Sequence, residues 1–405
     1  MNWNFVTLDK LGEISRGKSK HRPRNDSSLF GGKYPFIQTA DVKAAGMYLT
    51  KYSETYNDRG LAQSKIWPKG TLCITIAANI ADTTILGIDA CFPDSVMGFI
   101  PFENVANVKF VKYSFDILQR DCKNISQGTA QDNLSWKKLS TIKFPMPSID
   151  IQNKIVDILS TYDDLIENNQ KQIKLLEEAV QRLYKEWFID LQFPGHENVE
   201  IVDGVPEGWN IRPFNEVFSY VRGKSYKSSE LSESEGVLLV NLKNINAFGG
   251  YKRNAEKRYI GTYKADQRLD AGDIVMGVTD MTQERRLVGH VAIVPDLGEN
   301  MTFSMDLIKL IPKSVTGSYL YSAMRFGRYS EQISPFANGV NVLHLKPEAI
   351  MNMIMVVPSK EVLERYENIF ESYRKKIELL EKLSNYLTEA RDRLLPKLMS
   401  GEIEV

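Results

Sequence analysis

The sequence predicts an internally duplicated α/β protein: two β-rich α/β domains separated by two long antiparallel helices that form a coiled-coil-like spacer. Two apolar stripes and a set of motifs written twice carry that reading. Residues 149–188 contain no Gly and no Pro, and Ile151, Ile155, Ile158, Tyr162 and Leu165 alternate steps of four and three. That spacing lays one apolar stripe along a helix and suits a partner helix. The stripe then shifts to Ile166, Ile173, Leu176, Val180, Leu183 and Trp187, with Asn169 on the seam as a polar residue able to fix register. A second stripe over 360–395 runs through Leu363, Tyr366, Phe370, Tyr373, Ile377, Leu380, Leu387 and Leu394.

The repeat is read from short matches at a drifting offset. Trp3-Asn4 returns as Trp209-Asn210, and Arg16-Gly17-Lys18-Ser19 as Arg222-Gly223-Lys224-Ser225, both at 206. Lys69-Gly70-Thr71-Leu72 matches Ala271-Gly272-Asp273-Ile274 at 202, while Gly128, Pro147, Arg182 and Leu183 match Gly339, Pro358, Arg393 and Leu394 at 211. A drifting offset means loops of unequal length between elements kept in order.

Each repeat is expected to open with a short helical or mixed segment and a polar, basic loop. Short β-rich runs follow, at 34–37, 71–77 and 85–88 in the first and 237–241, 273–278 and 291–294 in the second, with Gly, Asn and Asp at the turns. A Pro-containing exit, Phe144-Pro145-Met146-Pro147 or Val356-Val357-Pro358, leads into each long helix, where Pro is tolerated at the start and not inside. The expected division is 1–148 for the first domain, 149–189 for its helix, 190–208 for a Gly-, Pro- and acid-rich connector, 209–357 for the second domain, 358–398 for its helix and 399–405 for a tail. Helices of about 40 residues extend roughly 60 Å.

The formal net charge is zero, but it is unevenly spread: +6 over 1–148, −7 over 149–206, +2 over 207–357 and −1 over 358–405. The first helical region would be repelled by phosphate, so its outer face should meet water or protein. No run of about 18 apolar residues appears, and Asp9 and Lys10 break any leader-like core, so a cytoplasmic location is expected. Cys73, Cys91 and Cys122 form no close pair, which points to reduced buried thiols.

Catalytic constellations are missing. His21, His196, His290 and His344 have no i,i+4 partner and no neighbouring Cys. Gly12 to Ser19 satisfies the G-x-x-x-x-G-K-[ST] pattern, but the following Lys20-His21-Arg22-Pro23 is polar and broken by proline, and Phe218 replaces the first glycine in the second repeat. Nucleotide binding is therefore rejected. Ser334-Pro335-Phe336 has only part of an amino-methyltransferase signature and no glycine-rich cofactor loop beside it.

Several phrases resemble the specificity subunit of type I restriction-modification systems across essentially the whole chain. They are Leu183-Tyr184-Lys185-Glu186-Trp187-Phe188, then Phe193-Pro194-Gly195-His196-Glu197 and Gly208-Trp209, and the C-terminal Arg393-Leu394-Leu395-Pro396-Lys397-Leu398-Met399-Ser400-Gly401-Glu402-Ile403. Gly128-Thr129-Ala130-Gln131 resembles the family's loop before the helical spacer, and its counterpart here is Gly339-Val340-Asn341-Val342, without Gln. The resemblance implies a non-catalytic subunit with two target-recognition domains, each reading one half of an asymmetric, bipartite double-stranded DNA site. It also implies helices that set the spacing and dock two methyltransferase subunits and restriction-translocase subunits. S-adenosylmethionine and ATP would belong to those partners, with no cofactor in this chain. A methylation-only complex, a stand-alone DNA methyltransferase and a two-headed protein scaffold are the alternatives.

Phosphate contacts need cations on loops, and Arg16, Lys18, Lys20, Arg22 and Arg24 alternate within nine residues, with Arg222, Lys224 and Lys227 as a sparser counterpart. Base edges need Arg, Asn, Gln or a carboxylate. The candidates after each central run are Asn79, Asp82 and Thr83, and Thr279, Asp280, Thr282, Gln283, Glu284, Arg285 and Arg286, with Thr129, Gln131 and Asn341 in the pre-helix loops.

Overall fold

A computed structural model describes residues 3–76, 81–125 and 139–405 of the chain. It divides into two compact units, Met1–Asn168 with Leu383–Val405, and Asn169–Lys382. The first long helix, Ile149–Tyr184, and the second, Lys360–Ser400, therefore contribute a segment to each. Among the described residues no helix is long and apolar enough to cross a membrane.

In the first unit the strands Gly12–Arg16, Val96–Pro101, Leu72–Thr75, Thr83–Leu86 and Tyr48–Leu49 lie in that order in one sheet. Alternation along the strands decides its two faces. Leu72, Ile74, Met97 and Phe99 pack with Phe115 of the helix Val108–Ile125, while Cys73 and Val96 pack with Trp67 and Phe92. Burial raises the Cys73 thiol pKa, which suits an inert core residue. Trp67 stacks on Phe92 with centroids 4.9 Å apart, and a Cβ at Gly98 would stand 2.5 Å from the Trp67 ring, so glycine is required there. A second sheet orders Glu54–Tyr56, Phe30–Phe36, Ala90–Cys91 and Ile66–Trp67, with one parallel contact, Phe36 opposite Cys91.

The second unit has a corresponding order. Phe218–Arg222, Leu307–Pro312, Ile274–Gly277 and Val291–Ile293 form one sheet. The other orders Leu231–Ser232, Lys257–Tyr259, Val237–Val240, Met301–Phe303 and Arg268–Leu269, again with one parallel pair. The helix Gly317–Phe326, capped where the Thr316 hydroxyl accepts the Tyr319 N–H at 3.4 Å, covers the first sheet. In each unit a two-stranded ribbon precedes a long helix: Asn4–Thr7 pairs with Lys143–Met146, and Asn210–Pro213 with Ile354–Val357.

Both units contain a long-helix contact. In the first, Ile155, Val156 and Leu159 meet Leu395, Leu398 and Met399, with Phe110 and Tyr113 beside them. In the second, Trp187 and Phe188 lie 5.9 and 4.9 Å from the Tyr366 ring, and Phe188 also reaches Trp209 and Tyr319. The phrase Leu183 to Phe188 is thus an aromatic core motif that closes the first helix through a π-helical turn, Lys185–Ile189.

Two expectations about the long helices need correction, while each repeat opens with a mixed segment: a ribbon strand, a short helical turn and a sheet strand, in which Ile14 and Val221 alternate with polar neighbours as half-buried strands do. The residues that matched a phosphate-loop pattern accordingly form the strand Gly12–Arg16 and the turn after it, with no helix at Ser19. On the first long helix Ile158 and Leu165 are exposed, and Val156 and Leu159 are buried instead. That helix meets two neighbours in the first unit, so its apolar face is wider than a single seam. The second helix continues through Pro396 to Ser400, held by burial of Leu395, Leu398 and Met399 on both sides of the proline. It ends at Gly401, whose φ of +74° suits a helix stop and whose missing Cβ leaves room for the Trp3 ring.

Candidate nucleic-acid interface

The repeated Arg-Gly-Lys-Ser marks one end of each main sheet. Arg16 stands opposite Met97, and Met97 opposite Ile74; Arg222 stands opposite Ile308, and Ile308 opposite Met276. The loop after the arginine and the loop after the central strand therefore leave the sheet from the same end. Glycine follows the arginine because the chain then crosses closely over its neighbour. A Cβ at Gly17 would stand 2.3 Å from the Pro93 carbonyl oxygen, and one at Gly223 2.0 Å from that of Ser304. The crossing is held by Lys18 N–H donating to the Phe92 carbonyl at 3.0 Å, and by Lys224 N–H donating to that of Phe303 at 2.8 Å.

In the first unit Arg16, Lys18 and Lys20 are exposed and make no ion pair among the described residues. Arg22 and Arg24 share Asp94, at 3.8 and 2.5 Å, and Arg22 also donates to the carbonyls of Ser19 and His21, each at 2.8 Å. The loop itself is shaped: Gln63 Oε1 accepts the N–H groups of Lys20 and His21 at 2.5 and 3.0 Å, and His21 pairs with Asp26 at 2.8 Å. Sequence spacing identified the cations but not the distant Asp94 that engages two of them.

In the second unit Arg222 is already engaged. It donates to both Glu348 oxygens at 2.8 and 2.9 Å, and the Tyr220 hydroxyl donates to the same carboxylate at 2.6 Å. The Tyr220 and Arg222 hydrogen bonds hold the Glu348 carboxyl down to about 2. The ammonium groups of Lys224 and Lys227 meet no carboxylate among the described residues, and Lys227 is exposed.

The candidate base readers separate sharply. Asn79, Thr129 and Gln131 lie outside the described residues. Asp82 is half-buried, its N–H bonded to the Thr75 hydroxyl at 2.9 Å, and Thr83 is buried in a strand. Both line a polar cavity of about 350 Å³ with Lys112, Asp116 and Gln119, so Thr83 is a wall residue and not a surface reader.

Thr279 is buried and donates to Asp306 at 3.1 Å. Asp280 is fully enclosed. Its carboxylate accepts the N–H and hydroxyl of Thr282, each at 2.8 Å, and the N–H groups of Leu287 and Val288 at 2.6 and 3.2 Å. Burial alone would raise its pKa, but these donors outweigh it and the net shift is downward. Asp280 therefore shapes the loop and does not present its own oxygens outward. Gln283 is exposed and ties this loop to the pre-helix loop, its Nε2 donating to the Val340 carbonyl at 2.8 Å. Arg286 pairs with Glu284, Arg285 is half-buried at a φ of +53°, and Asn341 is exposed. Thr282 is exposed beside them.

A family model described as a type I restriction modification DNA specificity domain matches residues 1–178. The chain is 24% identical over its full length to the type I restriction enzyme MjaIX specificity subunit of Methanocaldococcus jannaschii, covering 94% of that protein. It is 24% identical to that organism's MjaVIII specificity subunit, again over the whole chain and 93% of the relative. The Escherichia coli EcoR124I/EcoR124II specificity subunit is 28% identical over 46% of this chain and 48% of its own length. In fold, the chain is similar to the crystal structure of a type I restriction-modification S subunit from M. genitalium, with a TM-score of 0.60 and 17% identity over 98% of this chain and 96% of the other.

Proposed function

From the premise that this chain belongs to the type I restriction-modification specificity subunits, we propose that it reads a bipartite, asymmetric DNA site, one half with each main sheet end. The observation that carries this is the paired loop exit. At equivalent strand ends, Arg16 and Arg222 open basic loops beside the loops that follow the central strands. The segments that follow the central strands differ in length and sequence, 76–82 against 278–290, so one architecture carries two different loops. A symmetric dimer would favour a palindrome; one chain with unlike loops suits unlike half-sites.

In this reading the chain is internally duplicated, with target-recognition domains at 1–148 and 209–357. The long helices set the number of base pairs between the half-sites and dock methyltransferase subunits, two by virtue of the repeat. The acidic exterior of the first helix favours protein over phosphate. Methyl transfer with S-adenosylmethionine belongs to those subunits, which must take the target base out of the stack; ATP-driven restriction belongs to a third component. Lys18, Lys20, Arg16, Lys224 and Lys227 hold phosphates, and Gln283, Arg285, Arg286 and Asn341 face base edges in the second half-site.

The test is modification mapping in host cells. One bipartite methylated motif should vanish when the chain is deleted and return with it. A heptad added to each long helix, about 10 Å of rise, should alter the gap and leave both half-sites unchanged. Altered bases at an unaltered gap would refute the spacing role.

A further inference from the structure

We infer that the second unit recognises pyrimidine 5-methyl groups in the major groove through Met281 and Val340, an inference that rests on the DNA-reading role above. Met281 is 77% and Val340 88% exposed, unusual for apolar side chains on loops held this firmly. Lone exposed apolar residues are ordinary; these are not isolated. Gln283 bonds the Val340 carbonyl, and Asp280, the residue before Met281, is fixed by four donors. Two further exposed apolar residues sit on loops tied into the same region. Phe248, 62% exposed, donates its N–H to the Arg286 carbonyl at 2.9 Å, and Met305, 56% exposed, donates to that of Lys224 at 2.9 Å.

Charge identifies the occupant. The carboxylates of these loops are committed internally: Asp280 to the loop backbone, Glu284 to Arg286, Asp306 to Thr279 and Glu348 to Arg222. Lys224, Lys227 and Arg285 have no such partner among the described residues. The surface is thus apolar side chains set among free cations, which suits a polyanion that offers apolar groups of its own. On duplex DNA the major-groove edge carries one such group, the pyrimidine C5 methyl. Covering a methyl with Val or Met gains what burying one CH₂ gains, about four-fold in affinity.

The experiment uses the chain in complex with its methyltransferase subunits and duplexes carrying the mapped site. Each thymine is replaced in turn by deoxyuridine, and Kd is measured at fixed salt. The wild-type complex should bind about four-fold more weakly when a contacted methyl is removed from the half-site governed by the second unit. Val340→Ala or Met281→Ala should abolish that difference at one position while folding normally, since both side chains are exposed. Equal binding of thymine and deoxyuridine, a half-site without thymine, or a preference that survives both substitutions overturns the inference. Failure to bind even the unmodified mapped site overturns the DNA-reading role as well, so the two failures are distinguishable.

Discussion

Arg391 Nη1 lies 2.5 Å from Asp163 Oδ1, joining the two long helices within the first unit, and the Tyr113 hydroxyl donates to the other carboxylate oxygen at 2.5 Å. The Asp163 side chain is only 13% exposed, so these two partners take the place of most of its water. Arg391→Ala should destabilise the chain by about 3–5 kcal/mol by leaving a buried carboxylate without its cation. Tyr113→Phe should cost about 1 kcal/mol. Denaturant titration of the two variants checks the order of effects; equal or negligible losses would mean the pair is not structural.

His290 is 7% exposed, and burial holds its pKa below the ordinary 6.5 despite the Arg285 carbonyl. With the folded value depressed, its contribution to stability is full above about pH 6.5 and is lost as pH falls toward and through the folded value. Melting temperature should therefore fall more between pH 7.5 and 5.5 for the wild type than for His290→Gln. Parallel curves would contradict this.

Asp280→Asn places an amide NH₂ against N–H donors in an enclosed site. A lost acceptor and an added donor should cost about 1–3 kcal/mol locally. The consequence should fall on the half-site read by the second unit, with discrimination there reduced roughly ten-fold or more and the other half unaffected. Binding to duplexes mutated in each half separately measures it.

Glu348 restrains Arg222, the counterpart of Arg16, which makes no ion pair among the described residues. Glu348→Gln should free that guanidinium for a phosphate, tighten binding several-fold at low salt and steepen the salt dependence of log K by about one unit. A titration at several salt concentrations distinguishes this from a general gain in stability, which would leave the slope unchanged.

Much of this architecture was legible from short matches. The offsets 206, 202 and 211 also separate three neighbouring strand residues from their counterparts, Arg16 and Arg222, Ile74 and Met276, Met97 and Ile308. Glycine in the repeated motif was informative because a close backbone crossing admits no Cβ. The helix seam was less legible: Ile158 fits a heptad yet is exposed, since neighbours on two sides select Val156 and Leu159. The site was legible as cations and polar loops, but not as partnerships. Asp94 with Arg24 and Glu348 with Arg222 are 70 and 126 residues apart, separations that no local pattern encodes. Asp280 read as a surface carboxylate because composition cannot report four inward donors. Val340 and Met281 were not legible as contact residues because apolar residues ordinarily signal core.

Modification mapping of cells carrying the wild-type chain or its Gln283→Ala, Arg285→Ala, Arg286→Ala variant tests the two-reader account most directly. One half of the methylated motif should become degenerate while the other half and the intervening gap stay as they were. Simultaneous loss of specificity in both halves, or an unchanged motif, would contradict it.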